Sequence, residues 1–153
     1  MPKYFLLFLV LSIVSLTYEQ ILKATKYCEV NSEIIQKKAA SLKKSTVLDT
    51  AKNIFSFVQS QIKYERYANT KKGAAKTLVA KKGNCADQAH LLVALFRAAG
   101  IPARYVHGTN HYWTQCLVNK KLYDCDPTHS HHKFGKRFND GKKVLSHMDE
   151  LRY

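Results

Sequence analysis

Cys85, His111 and Asp126, in that chain order, are the residues whose types and spacing can do covalent chemistry. A cysteine sulfur attacks carbonyls as the thiolate, a histidine takes and returns a proton, and a carboxylate holds the imidazole in one tautomer. Cys85 lies in Gly83-Asn84-Cys85-Ala86-Asp87-Gln88, which opens the most apolar stretch after the first 20 residues, 86–99. Asn84 can cap a helix, Asp87 falls in its first turn, and Gly100 followed by Pro102 ends it. The sulfur is therefore expected at a helix N-terminus, where unpaired amide N–H groups and the helix dipole favour thiolate over thiol. A cysteine alone is more often a small buried hydrophobe without chemistry. The histidine and the carboxylate downstream tip the reading toward a nucleophile.

The elements that must position these groups follow from the patterning. The stretch 86–99 is apolar over most of a helical circumference and should run through the core. Beyond Pro102 the periodicity becomes extended, and residues 103–108, 112–118 and 122–126 read as a three-stranded antiparallel meander. A tight turn at Asn119-Lys120 pairs Val118 with Lys121. This register sets Asp126 opposite Trp113 and diagonal to His111 on one face. A slip of one residue would separate them. The same register brings Cys116 and Cys125 together on the other face, as a disulfide or as reduced core thiols.

Upstream, residues 18–28 and 31–43 read as helices anchored by Ile21, Leu22, Ile34, Ile35 and Leu42. Thr46 and Asp49 form a capping pair for a helix over 47–62, in which Leu48, Ala51, Ile54, Phe55, Val58 and Ile62 recur at helical spacing. Residues 69–73 read as a polar loop and 74–80 as a short helix leading to the cysteine. The tail from His129 onward is basic and weakly patterned. His129, His131 and His132 could hold a metal in principle, but such a cluster is more often solvated, so no metal site is assigned.

With 46% hydrophobic and 11% aromatic residues the chain is not a disordered polypeptide, and 153 residues suit one domain. Lys3 precedes an apolar run over residues 4–16, whose 13 residues would span about 20 Å as a helix against about 30 Å of hydrocarbon. Residues 1–17 are therefore expected to be a signal peptide or N-terminal anchor, residues 18–153 the domain, and the protein secreted or membrane-anchored and extracellular. A buried N-terminal helix is the alternative. The net charge is +14, and between Lys37 and Lys82 only Asp49 and Glu65 oppose a dense run of lysines. Such a surface attracts anionic polymers or headgroups in a salt-dependent way, or is simply a solvated basic face. No helix-turn-helix, zinc-finger or RNP-like pattern supports sequence-specific recognition of nucleic acid. Four cysteines are few for a disulfide-built scaffold, and with no CxxC pair a structural zinc site of the usual spacing is absent.

The ordered set Gly83-Asn84-Cys85-Ala86-Asp87, Arg97 to Gly108, His111-Tyr112-Trp113 and Asp126-Pro127-Thr128 resembles the core of the transglutaminase-like superfamily. The similarity covers roughly residues 45–130 and looks strongest to archaeal members, including pseudomurein endoisopeptidases. The resemblance implies an α+β, papain-like fold with N-terminal helices and a central cysteine-bearing helix packed on an antiparallel sheet. It implies Cys85 as nucleophile, His111 as general base and acid, and Asp126 as the orienting carboxylate. One feature departs from many relatives: only Thr109-Asn110 separates Gly108 from His111.

The expected chemistry is acyl transfer on an amide or isopeptide bond, chiefly hydrolysis of peptides or cell-wall polymer. The alternatives are protein-glutamine cross-linking and a non-enzymatic basic cell-surface binding module. The backbone N–H of Cys85 is the expected oxyanion donor, with Gln88, Tyr64 and Asn69 as candidates for a second. No cofactor is required, and no EF-hand-like loop suggests calcium.

Overall fold

A computed structural model describes residues 22–137 and 140–151 of the chain. The apolar run at 4–16 and the first part of the helix expected over 18–28 lie outside these residues. Four helices are described: α1 (Glu33–Leu42), α2 (Val47–Gln61), α3 (Gly73–Ala80) and α4 (Cys85–Ala98). The strands are β1 (Lys63–Tyr64), β2 (Lys82–Gly83), β3 (Ala103–Gly108), β4 (His111–Val118), β5 (Lys121–Cys125) and β6 (Val144–Met148). The mixed α+β architecture agrees with the sequence reading, with α4 at its centre. Every residue of α4 from Ala86 to Arg97 is buried. Its Leu91, Leu92, Leu95 and Phe96 are fully inaccessible, each contributing about 1.5–3 kcal/mol on burial.

Both ends of α4 are built by the residues that announce them. Asn84 Oδ1 accepts the N–H of Asp87 at 2.9 Å. At the other end Gly100 takes φ +76°, so Ile101 N–H reaches Phe96 O at 2.8 Å and Gly100 N–H reaches Arg97 O at 3.0 Å. That is a Schellman stop. The cap of α2 also forms, with Asp49 N–H on Thr46 Oγ1 at 3.0 Å.

The main sheet has strand order β5-β4-β3-β6, all antiparallel, and α4 packs on β3 and β4. Val118 pairs with Lys121, as expected, because Asn119 and Lys120 both take positive φ (51° and 63°). This is the primed hairpin turn that matches strand twist. The meander gains a fourth strand, β6, from the tail that carried no pattern. A second, two-stranded sheet pairs β1 with β2 in parallel, setting Tyr64 beside Gly83.

The helix expected over 18–28 is not formed in its described part, because the backbone of residues 22–28 is spent elsewhere. Tyr27 O accepts Ala74 N–H at 2.8 Å, and Lys23 O accepts Arg97 Nη1 at 2.5 Å. Buried Arg97 also donates to Ala103 O and Asp149 O, tying three chain segments to the end of α4. Cys116 and Cys125 are fully buried free thiols with sulfurs 3.9 Å apart.

Candidate active site

Cys85 is the first residue of α4 and is half-buried at the floor of a cleft of about 590 Å³. The residues flanking it in sequence build one wall. Asn84 Nδ2 donates to Tyr67 O at 3.1 Å and to Asn69 O at 2.7 Å, and the Asn84 N–H reaches Tyr67 Oη at 3.1 Å. The fully buried Asp87 carboxylate accepts Lys71 N–H and Lys72 N–H at 3.2 Å and Gly73 N–H at 2.9 Å. It also accepts the Tyr67 hydroxyl. Asn84 and Asp87, the two residues that cap α4, thereby hold segment 67–73 above the sulfur. The second role of Asp87 was not evident from the sequence.

The opposite wall is the β3–β4 hairpin. His111, the first residue of β4, donates Nε2–H to Asp126 Oδ2 at 2.8 Å, and its ring is electrostatically coupled to the Cys85 sulfur. With Nε2 on the carboxylate, Nδ1 is the nitrogen left for the sulfur. Asp126 lies one residue past β5, where the Val118–Lys121 register brings it to His111.

The electrostatics of the three groups are coupled. Burial disfavours the Cys85 thiolate, but hydrogen bonds from His111 and from the N–H groups of Tyr112 and Ala86 outweigh it and lower the thiol pKa. Burial likewise disfavours the His111 imidazolium, yet Asp126 and Cys85 raise its pKa to about 9. Asp126 is buried, but His111, Thr128 and Arg137 hold it well below the usual carboxylate range. These directions favour a thiolate–imidazolium pair backed by a carboxylate.

Asp126 is saturated. Its Oδ1 accepts Thr128 Oγ1 at 2.6 Å and Thr128 N–H at 3.2 Å. Its Oδ2 accepts Arg137 Nε at 2.9 Å beside His111, and buried His132 Nδ1 sits 3.2 Å away while reaching Asp126 O at 3.0 Å. His132 is thus engaged with Asp126 and stands edge-on to His129. The Arg137 guanidinium lies 3.8 Å from the Trp113 ring centroid, and Trp113 stacks beside His111 at 5.9 Å. A Cβ at Gly108 would come within 2.4 Å of Trp113, so the indole occupies the space that glycine leaves. Of these partners only Thr128, adjacent in Asp126-Pro127-Thr128, had a sequence signal.

The three oxyanion candidates separate. Gln88 is fully buried, with Nε2 on Gly83 O at 3.0 Å, so its amide donor is turned inward and away from the cleft. Tyr64 and Asn69 both line the cleft beside Cys85. The β1–β2 pairing places Tyr64 there, and burial followed by the nearby Cys85 charge raises the pKa of its phenol.

The same fold occurs in a candidate cysteine protease from Cytophaga hutchinsonii, with TM-score 0.63 and 27% identity over 71% of this chain. It occurs again in a candidate protease from Parabacteroides distasonis, with TM-score 0.56 and 14% identity over 70% of this chain. The chain spans 40% of the first structure and 24% of the second. No curated protein matches it. The transglutaminase-like superfamily model matches residues 34–133, which include Cys85, His111 and Asp126. The chain belongs to the transglutaminase-like superfamily.

Proposed function

We propose that the protein is a thiol-dependent peptidase or isopeptidase with Cys85 as nucleophile, His111 as general base and acid, and Asp126 as the orienting carboxylate. The observation that carries this reading is the Cys85–His111–Asp126 relay, with His111 Nε2 on Asp126 Oδ2 at 2.8 Å and the Cys85 thiol pKa lowered at the head of α4. The thiolate adds to the amide carbonyl and the oxyanion forms at the α4 N-terminus, with the Cys85 N–H as its first donor. Tyr64 is the second donor best placed by the cleft. The imidazolium Nδ1–H then protonates the leaving amine, the C–N bond breaks, and a thioester remains. Water, deprotonated by His111, attacks the thioester, releases the acid and restores the pair.

Hydrolysis is favoured over amine transfer because the cleft is open to water beside the sulfur. The substrates proposed are peptide or isopeptide bonds, including those of cell-wall polymers as in the pseudomurein endoisopeptidases. The protein is proposed to act outside the cell, directed there by the apolar run at residues 4–16. Amine release from a panel of peptides and wall fragments tests this. Wild type should release amine and Cys85→Ala should not. Equal release by the two proteins, together with equal failure to join an amine to a glutamine peptide, would replace the enzyme with a binding module.

A further inference from the structure

The cleft around Cys85 has an uneven charge that the catalytic groups do not account for. Its lining includes Arg66, His107, His129 and Lys142, and among the described residues no aspartate or glutamate lines it. Acidic residues do stand close by in sequence, but their charge is committed elsewhere. Glu65 gives one carboxylate oxygen to Lys72 at 2.7 Å and the other to Lys82 at 3.0 Å. Asp126 lies beneath the floor and is saturated by His111, Thr128 and Arg137. Lys142 is held by Asp140 at 3.2 Å. Burial, and then the neighbouring His132, lower the pKa of His129, which favours its neutral form.

Arg66 differs from these groups. It lies two residues past β1, is exposed at the rim, and has no carboxylate within ion-pair distance among the described residues. Arg66 lines the same cleft as Tyr64 and Cys85, and its charge is felt by the Tyr64 phenol. A guanidinium presents a planar fork suited to two carboxylate oxygens. Within a peptide or isopeptide, the anionic group it can meet is a carboxylate.

Resting on the thiol-peptidase reading above, we propose that Arg66 determines specificity at this site and selects substrates that carry a carboxylate next to the scissile amide. The carboxylate is either an acidic side chain or the free end of the chain. It docks on the Tyr64 wall while the carbonyl lies over Cys85. Arg66 acts through binding and transfers no proton.

The test uses the full chain and two alkylating reagents that attack the same sulfur, the anionic iodoacetate and the neutral iodoacetamide. The ratio of their rates at Cys85, read by mass spectrometry, should fall about threefold in Arg66→Gln and about tenfold in Arg66→Glu, as expected for removing and reversing one charge in the cleft that holds the sulfur. Lys52→Glu, which changes the net charge as much but at an exposed site on α2, should leave the ratio unchanged. Peptide pairs differing in Glu against Gln beside the scissile bond, and in free acid against amide at the C-terminus, then identify which carboxylate is read. The preferred member should lose its advantage in KM in Arg66→Glu. An unchanged ratio in Arg66→Glu, or an equal fall in Lys52→Glu, would overturn the assignment of Arg66 while leaving the thiol chemistry standing. Failure of both reagents to label Cys85 faster than the other three thiols would instead overturn the thiol chemistry, and this proposal with it.

Discussion

The two walls of the cleft are held by different means. The wall over Cys85 is local: Asn84 and Asp87, on either side of the sulfur, cap α4 and grip residues 67–73 through backbone hydrogen bonds. The wall carrying His111 is assembled at long range. Its carboxylate depends on a hairpin register and on Thr128, His132 and Arg137, the last two from a tail without periodicity. The proposed nucleophile is thus placed by helix-capping chemistry, and the proposed base by sheet pairing plus a saturated anion. A local device loses its part of the site when one residue changes. A distributed one degrades by degrees at its supporting residues, though not at the carboxylate they support.

The largest expected effect falls on the distributed wall at its one irreplaceable member. Asp126→Asn should lower kcat by about a hundred- to ten-thousand-fold, because an amide can no longer hold the imidazolium or fix its tautomer. The fold should survive in circular dichroism at neutral pH. The same charge has a signature in acid. Asp126 has a folded pKa below its unfolded value, so its stabilisation is present above about pH 4 and is lost as the pH falls further. Acid unfolding of Asp126→Asn should therefore be flatter below pH 4 than that of wild type.

On the local wall, Asp87→Ala strands the N–H groups of Lys71, Lys72 and Gly73 and removes a buried acceptor. Denaturant unfolding should show a loss of about 3 kcal/mol or more, with accelerated proteolysis within residues 67–73. Arg137→Gln should be milder. Removing the guanidinium beside Asp126 leaves the carboxylate a stronger partner for the imidazolium. The basic limb of the kcat profile should move up in pH while kcat falls about threefold to tenfold, with KM nearly unchanged. The smallest effect belongs to the turn that sets the register. Lys120 has φ 63°, so Lys120→Gly should raise stability by up to about 1 kcal/mol without altering turnover.

These contrasts also explain what the sequence disclosed. α4 was legible at both ends because Asn84, Asp87, Gly100 and Pro102 act on their own chain neighbours. The β4–β5 register was legible because it depends on one two-residue turn. β6 was not, since Val144 and Leu145 are exposed at a sheet edge and give the strand no inward-facing period. β1 and β2 are two residues each, too short for any period, yet their pairing delivers Tyr64 to the cleft. The segment 22–28 has apolar anchors but commits its carbonyls to Ala74 and Arg97, a tertiary demand that overrides helix propensity. Arg137 reaches Asp126 from 11 residues away, a distance at which a basic tail offers no signal. Gln88 is a candidate oxyanion donor by sequence, but its place one turn into a buried helix turns its amide toward Gly83.

The central claim is that Cys85 rests as a thiolate paired with the His111 imidazolium, and the pH dependence of its alkylation by iodoacetamide measures this directly. In the wild type, Cys85 should label faster than Cys28, Cys116 and Cys125 at pH 7, with a midpoint below the ordinary thiol value of about 9. In His111→Ala, burial of the sulfur is left with less to oppose it, so the midpoint should rise and labelling at pH 7 should slow by at least about tenfold. Labelling of Cys85 no faster than that of the buried thiols, or a midpoint that His111→Ala leaves in place, would contradict the account.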